Sequence, residues 1–277
     1  MSNLSQADEA QLKAQLQDAV AACTERGLYQ SAKWAAELLM SLPSSDDDAD
    51  AGSVTDVDSP MSDAPPPHTP NAIRKDATEL RLEAREANKY LLAKTYFDCR
   101  EFDRCAAVFL PSTLPKDSIH TPSPPSARAK PKGRAKLGTP TKPKSKSKVV
   151  ADATLQLSQR ALFLALYAKY ISGEKRMNED SKMILGPEDG GVTANLELPG
   201  ICAVLEAWFA NLHASGRQPQ GWLEYLYGVV LAKGKNEKLA MDYFVKSVHQ
   251  CTYNWGAWQE LIGLLGTPEE VTLSFPS

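Results

Sequence analysis

What most constrains this chain is a recurring spacing of small and aromatic residues in its last quarter. Between Glu224 and Thr252 two apolar stretches follow one another, each with the three- and four-residue intervals that put side chains on one helix face. The first holds Tyr227-Gly228 and Leu231; the second holds Ala240 and Phe244. A small residue on each of two facing helices lets their axes approach closely, and the neighbouring large residues fill the seam. A step of roughly 34 residues carries Glu224 onto Trp258. Leu261 and Ile262 then stand where Tyr227 and Gly228 stood. A β-sheet, with its period of two, has no use for such a pattern.

Stacked helical hairpins of that period are the signature of the tetratricopeptide repeat (TPR). The same template fits Leu92-Ala93, Tyr96, Cys105 and Phe109. It fits Leu166-Tyr167 and Tyr170, and more loosely Ala19-Val20, Cys23, Ala32 and Ala36. The fold class read from this is all-α: a TPR helical-hairpin solenoid with disordered charged insertions. Its repeat-packing residues are expected at Leu92, Ala93, Tyr96, Phe109, Tyr170, Tyr227, Gly228, Ala240, Phe244 and Trp258. A helical bundle without repeat logic is the alternative. The aromatics Tyr90, Tyr96, Phe97, Trp208, Phe209, Trp222, Tyr225 and Tyr227 read as core.

Along the chain, residues 1–43 read as a helical hairpin. Leu12, Leu16, Ala19, Val20 and Cys23 share a face, Gly27 stops the first helix, and Pro43 ends the second. Residues 44–72 are acidic and proline-rich, with almost no large apolar side chains, so disorder is expected. Residues 73–110 read as a second hairpin turning at Arg100-Glu101. Residues 111–150 form a basic Pro/Ser-rich block, again expected to be disordered. Residues 151–265 return to helix: Leu155–Ile171, a Gly/Pro loop from Gly186-Pro187 to Gly190-Gly191, Gly200–His213 after Pro199, Trp222–Leu231, Lys235–Cys251 and Trp255–Leu265. Residues 266–277 are a tail. Insertions between repeats are tolerable because loop-closure cost grows only logarithmically with length. The last helix has no visible partner, so an uncovered apolar face is expected around Trp258, Leu261 and Leu265.

Composition narrows the function classes. Of the 277 residues, 43% are hydrophobic, a globular proportion, and the net charge of −3 attracts neither nucleic acid nor membrane. The N-terminus lacks a basic start and apolar core, and no stretch reaches the roughly 18 apolar residues of a membrane span. The five cysteines are scattered and the four histidines isolated, which suits reduced thiols in the cytosol or nucleus better than zinc. There is no nucleophile with a base at a recognisable spacing and no cofactor motif. Gly190-Gly191 lacks the lysine of a phosphate loop, and His213 and His249 read as structural. No catalytic residue, metal or cofactor is expected. The basic block (Lys130, Lys132, Arg134, Lys136, Lys142, Lys144, Lys146, Lys148) has no interleaved aromatics for single-strand binding. Nuclear import is its functional reading, giving a nuclear and cytoplasmic location, and a solvated linker the alternative. Ser59, Thr69, Thr121, Ser123 and Thr139 each precede proline within these blocks, and Thr139 has Lys142 downstream. They are the candidate phosphorylation sites.

A resemblance adds to this. The stretch from Asn88 to Asp98 (NKYLLAKTYFD), followed by Glu101-Phe102-Asp103-Arg104, is similar to a characteristic block of one TPR family. So are Ala168 to Lys175 (AKYISGEK), Leu185-Gly186-Pro187, Tyr225 to Leu231 (YLYGVVL) and Trp255 to Leu261 (WGAWQEL). Together they resemble the family of cell division cycle protein twenty-three, the eighth subunit of the anaphase-promoting complex (cyclosome). The resemblance implies a non-catalytic scaffold of a multisubunit ubiquitin ligase that supports mitotic progression. It also implies a homodimer formed through N-terminal repeats, contacts with other subunits of the complex, and help in receiving a coactivator. The two charged insertions are a departure from the family. The chain also stops after what reads as the first helix of a repeat, which weakens the coactivator expectation and retains dimerisation. Two other readings remain: a TPR adaptor such as a chaperone cofactor, whose lysine–asparagine carboxylate clamp cannot be placed here, and an enzyme of unrecognised helical fold.

Overall fold

The computed structural model describes residues 6–43, 76–114, 154–182 and 194–265. The regular elements among them are helices: α1 Gln6–Glu25, α2 Tyr29–Ser41, α3 Ala77–Asp98, α4 Phe102–Ala107, α5 Gln159–Lys182, α6 Leu198–Ser215, α7 Trp222–Lys233, α8 Glu237–Gln250 and α9 Trp255–Leu264. The acidic and basic insertions, the Gly186–Gly191 stretch and the tail lie outside the described residues, apart from residues 111–114 at the start of the basic block. Each helix touches the next, and α1, α3, α5, α7 and α9 also touch in succession, so the array is a TPR-type helical solenoid.

The repeat is visible in the backbone of the turns. α1, α3 and α7 close with the same pair of bonds. The amides of Leu28, Glu101 and Asn236 donate to the carbonyls of Cys23, Tyr96 and Leu231 at 2.9, 2.8 and 3.0 Å. The amides of Gly27, Arg100 and Lys235 donate to Thr24, Phe97 and Ala232 at 3.0, 2.9 and 3.0 Å. This left-handed cap satisfies carbonyls that the helix end leaves open. Its positive φ falls on Gly27 (71°) in one hairpin but on Arg100 (61°) and Lys235 (62°) in the others.

The seam within each hairpin is built from small residues. Ala32, Cys105 and Ala240 are 1%, 0% and 0% exposed, and Val20 and Ala93 face them at 2% and 0%. In the α7–α8 hairpin the facing residue is Gly228. A Cβ there would lie 2.6 Å from Cε1 of Phe244, itself fully buried, so the ring occupies the space a side chain would need.

Three elements differ from the sequence expectation. α5 does not end at Ile171 but continues to Lys182. Gly173 lies within the helix with Asn195 packed against it, and Lys175 pairs with Glu179 one turn on, at 3.8 Å. α4 ends at Ala107, leaving Phe109 beyond the helix; Pro111 disfavours helical geometry at Leu110. Pro199 stands inside the first turn of α6, where a missing N–H leaves no bond unmade. The expected uncovered face at the last helix is also corrected. Leu261 is fully buried and Trp258 is half-buried, because α9 packs on both α7 and α8. The exposed apolar residues of that end are Tyr253 (82%), Trp255 (66%) and Ile262 (59%).

A polar knot ties the start of α3 to the start of α5 and the turn before α7. Asp76 caps α3 by accepting from the Glu79 amide at 2.6 Å. Glu79 and Glu86 reach across to accept from the Gln159 and Ser158 amides at 2.5 and 3.1 Å, so α3 supplies acceptors to the open N–H groups of α5. Arg217 completes the knot with a 2.5 Å bond to Glu79.

Candidate protein-binding groove

Helices α3, α5 and α7 leave an open cleft of about 390 Å³ between them. α3 contributes Glu83, Tyr90, Lys94 and Phe97, α5 contributes Arg160, Phe163, Leu164 and Tyr167, and Gln220 with Trp222 closes the α7 end. The spacing 90, 94, 97 and 160, 163, 164, 167 is one helix face each, which is why two successive helices present a continuous strip. Tyr90, Phe97 and Trp222, expected as core, are therefore half-buried groove walls.

The aromatic rings form a connected ladder. Phe163 stacks on Tyr167 (centroids 5.4 Å apart, planes at 14°), and Tyr167 stacks on Phe97 at 6.0 Å and on Tyr170 at 6.2 Å. Trp222 tilts against Phe163 at 6.0 Å, and Phe102 meets Phe97 edge-on at 5.3 Å. Such pairs hold one another's orientation and present π faces to whatever enters. The exposed Arg160 guanidinium lies 3.7 Å over the Tyr90 ring, while Lys94 is engaged by Asp98 one turn along α3. Gln220 is 6% exposed, and its side-chain nitrogen finds no acceptor among the described residues. Burial raises the phenol pKa of Tyr90, against the opposing effect of Arg160, and burial also raises that of Tyr170. Tyr90 and Tyr170 are uncharged at neutral pH. The strip suits an apolar side chain of a partner with a hydrogen-bond acceptor beside it. A carboxylate clamp is not formed by its lining, whose one lysine is bonded to Asp98.

The α4 side of the array is polar and internally paired. Lys33 bonds Glu101 at 2.5 Å, and Arg104 bonds both Glu101 (2.6 Å) and Glu37 (2.8 Å). Arg176 bridges Asp103 (2.6 Å) and Glu197 (2.9 Å). Hydrogen bonds from Lys33, the largest cause, and from Arg104 hold the Glu101 carboxyl below its usual pKa. These bonds join the first hairpin to the second and the second to α5. At the outer ends of the array, Trp34 (65% exposed) and Leu28 on the first hairpin, and Trp255 on the last helix, present apolar surface to solvent.

Of the repeat-packing residues expected from sequence, Ala93, Ala240 and Phe244 are fully buried, with Tyr96 at 7% and Tyr227 at 2%. Leu92, Phe109, Tyr170 and Trp258 are half-buried against the cores. Ser59, Thr69, Thr121, Ser123 and Thr139 lie outside the described residues. Among the described residues no group of three or more histidine, cysteine or acidic side chains could hold a metal, and no helix is long and apolar enough to cross a membrane. Burial pushes the Cys105 thiol up to about 12, which keeps it protonated and unreactive. Sequence reasoning missed Arg160, Phe163 and Gln220 as groove residues.

The model of the family described as anaphase promoting complex subunit 8 / Cdc23 matches residues 11–276. The chain belongs to that family. It is similar to the cell division cycle protein 23 homolog of Homo sapiens, 30% identical over 270 residues, covering 97% of this chain and 33% of the relative. The Bos taurus homolog of the same name is 31% identical over 91% of this chain and 30% of its own length. Anaphase-promoting complex subunit 8 of Arabidopsis thaliana is 30% identical over 90% of this chain and 37% of its own. The chain thus spans about a third of the length of the curated relatives it matches. In this family setting, the aromatic ladder is built on α3, α5 and α7, inside the matched region.

Proposed function

We propose that this chain is a non-catalytic scaffold subunit of the anaphase-promoting complex, a multisubunit ubiquitin ligase. It contributes protein–protein contacts to assembly and mitotic progression. The observation that carries this is the open aromatic groove on helices of a chain belonging to the subunit 8 / Cdc23 family. Its partners are other subunits of the complex and a second copy of itself, met through the groove and the exposed apolar residues of the terminal hairpins. The ubiquitin chemistry belongs to other subunits. The proline-directed sites Ser59, Thr69, Thr121, Ser123 and Thr139 are phosphorylated in mitosis, and the protein works in the nucleus and cytoplasm.

The groove is tested by Arg160→Glu, which reverses the charge of an exposed side chain on its wall. The tagged variant is expected to melt like wild type and to recover several-fold less of the other subunits from extract, a loss of about 1 kcal/mol or more. Undiminished recovery would place the contacts elsewhere on the chain.

A further inference from the structure

Glu79 is a carboxylate with 1% exposure, among the most deeply buried side chains described. Its Oε2 accepts from Arg217 Nη2 at 2.5 Å, and its Oε1 accepts from the Gln159 amide at 2.5 Å. Arg217, 8% exposed, also donates from Nη1 to the Leu155 carbonyl (3.2 Å) and from Nη2 to the Leu157 carbonyl (2.9 Å). Around the pair, Asp76 Oδ2 accepts from the Gln218 amide at 3.2 Å, and the Gln159 side-chain amide donates to the Gln218 carbonyl at 2.8 Å. Residues 138 positions apart in sequence meet at this point.

Such a pair is weak support for stability as such. Desolvation largely offsets the attraction, and replacing both partners by apolar residues of similar volume is often neutral or stabilising. What a buried, charge-assisted hydrogen bond supplies is direction. The apolar part of the same junction sets Ala93, Tyr96, Cys105 and Ala106 against Leu164 and Ala168, and places Leu110 and Leu114 in the core that holds Leu162 and Leu166. Apolar contact is non-directional.

We propose that the Glu79–Arg217 pair is a registration pin. It fixes the angle at which the first two hairpins meet the rest of the array, and with it the width of the aromatic groove. Glu83, one turn after Glu79, and Gln220, three residues after Arg217, line that groove, whereas the pair itself does not. Both residues are positioning residues, and the inference holds whatever partner the groove takes.

The test uses the whole chain carrying E79L with R217M, and separately R217K, which keeps the charge but cannot reach Glu79 and both carbonyls with one planar group. Thermal melting reports stability, small-angle X-ray scattering reports the hairpin angle, and hydrogen exchange reports the Ser158 and Gln159 amides. The double variant is expected to melt within about 5 °C of wild type or above it. Its scattering curve is expected to change, and the two amides to exchange at least about tenfold faster. R217K is expected to move in the same direction by less. Scattering is the decisive reading, because removing an acceptor alone speeds exchange. A double variant with the wild-type scattering curve would overturn the pin. If the double variant fails to fold, a folded R217K with wild-type scattering and wild-type exchange overturns it equally.

Discussion

Glu224 and Gly228 sit one turn apart on α7, and their burial has opposite consequences. Gly228 leaves room for the Phe244 ring, so the absence of a side chain is what lets α7 and α8 close. Glu224 is 2% exposed, and one of its oxygens, Oε2, finds no hydrogen-bond partner among the described residues. It stands at the third position of α7, where a carboxylate can reach back to the helix-start amide, and the Gly221 amide is among its bonds. Burial, the largest cause, raises its pKa; the bonds from the Glu224 and Gly221 amides and the charge of Lys246 oppose this only in part. A carboxyl with a raised folded pKa binds its proton more tightly in the folded state. Its charge therefore destabilises the fold above the folded pKa, and the penalty disappears below the unfolded pKa of about 4.3. Glu224→Gln keeps an acceptor for Gly221 and removes the charge. It is expected to raise the melting temperature at pH 7 and to leave it unchanged near pH 4, as calorimetry across that range would register. An equal shift at both pH values would assign the effect to packing.

At the scale of elements, the hairpins were legible because their pattern is local. The turn after Tyr96 or Leu231 uses residues within five positions, and the small residues of the seam recur at fixed offsets. The sequence expectation ended α5 at Ile171, where the apolar pattern gives way to charged residues, but the helix runs on past Gly173 to Lys182. Gly173 is a notch. Asn195, 4% exposed, donates to the Tyr170 carbonyl (3.1 Å) and to Glu174 (2.9 Å) and accepts from the Glu197 amide (3.0 Å). A Cβ at position 173 would lie 1.9 Å from its Oδ1. Alanine gains roughly 1 kcal/mol of helix propensity, but it displaces a buried amide and its bonds. The net expectation for Gly173→Ala is a destabilisation of about 1–3 kcal/mol, read from denaturant midpoints. A gain in stability would mean that Asn195 relocates freely. The polar knot was illegible for another reason. Its partners are 80 and 138 residues apart, and a buried charge leaves no periodic trace in sequence.

For the whole molecule, helical period reports which face of a helix is apolar but not whether another helix covers it. That is why Tyr90, Phe97 and Trp222 read as core and prove to be groove walls. The same limit explains the last helix. Leu261 is covered by its neighbours, while Trp255 and Ile262 face outward. Family membership was legible because several short blocks, from Asn88 to Leu261, occur in order, whereas the partner of each surface is a property of assembly rather than of any block. The measurement that tests the scaffold role most directly is mass spectrometry of the proteins that co-purify with the tagged chain from mitotic extract of its own organism. The account predicts recovery of the other anaphase-promoting complex subunits together with untagged copies of the same protein. Recovery of a chaperone set in their place, or of no specific partner, would contradict it.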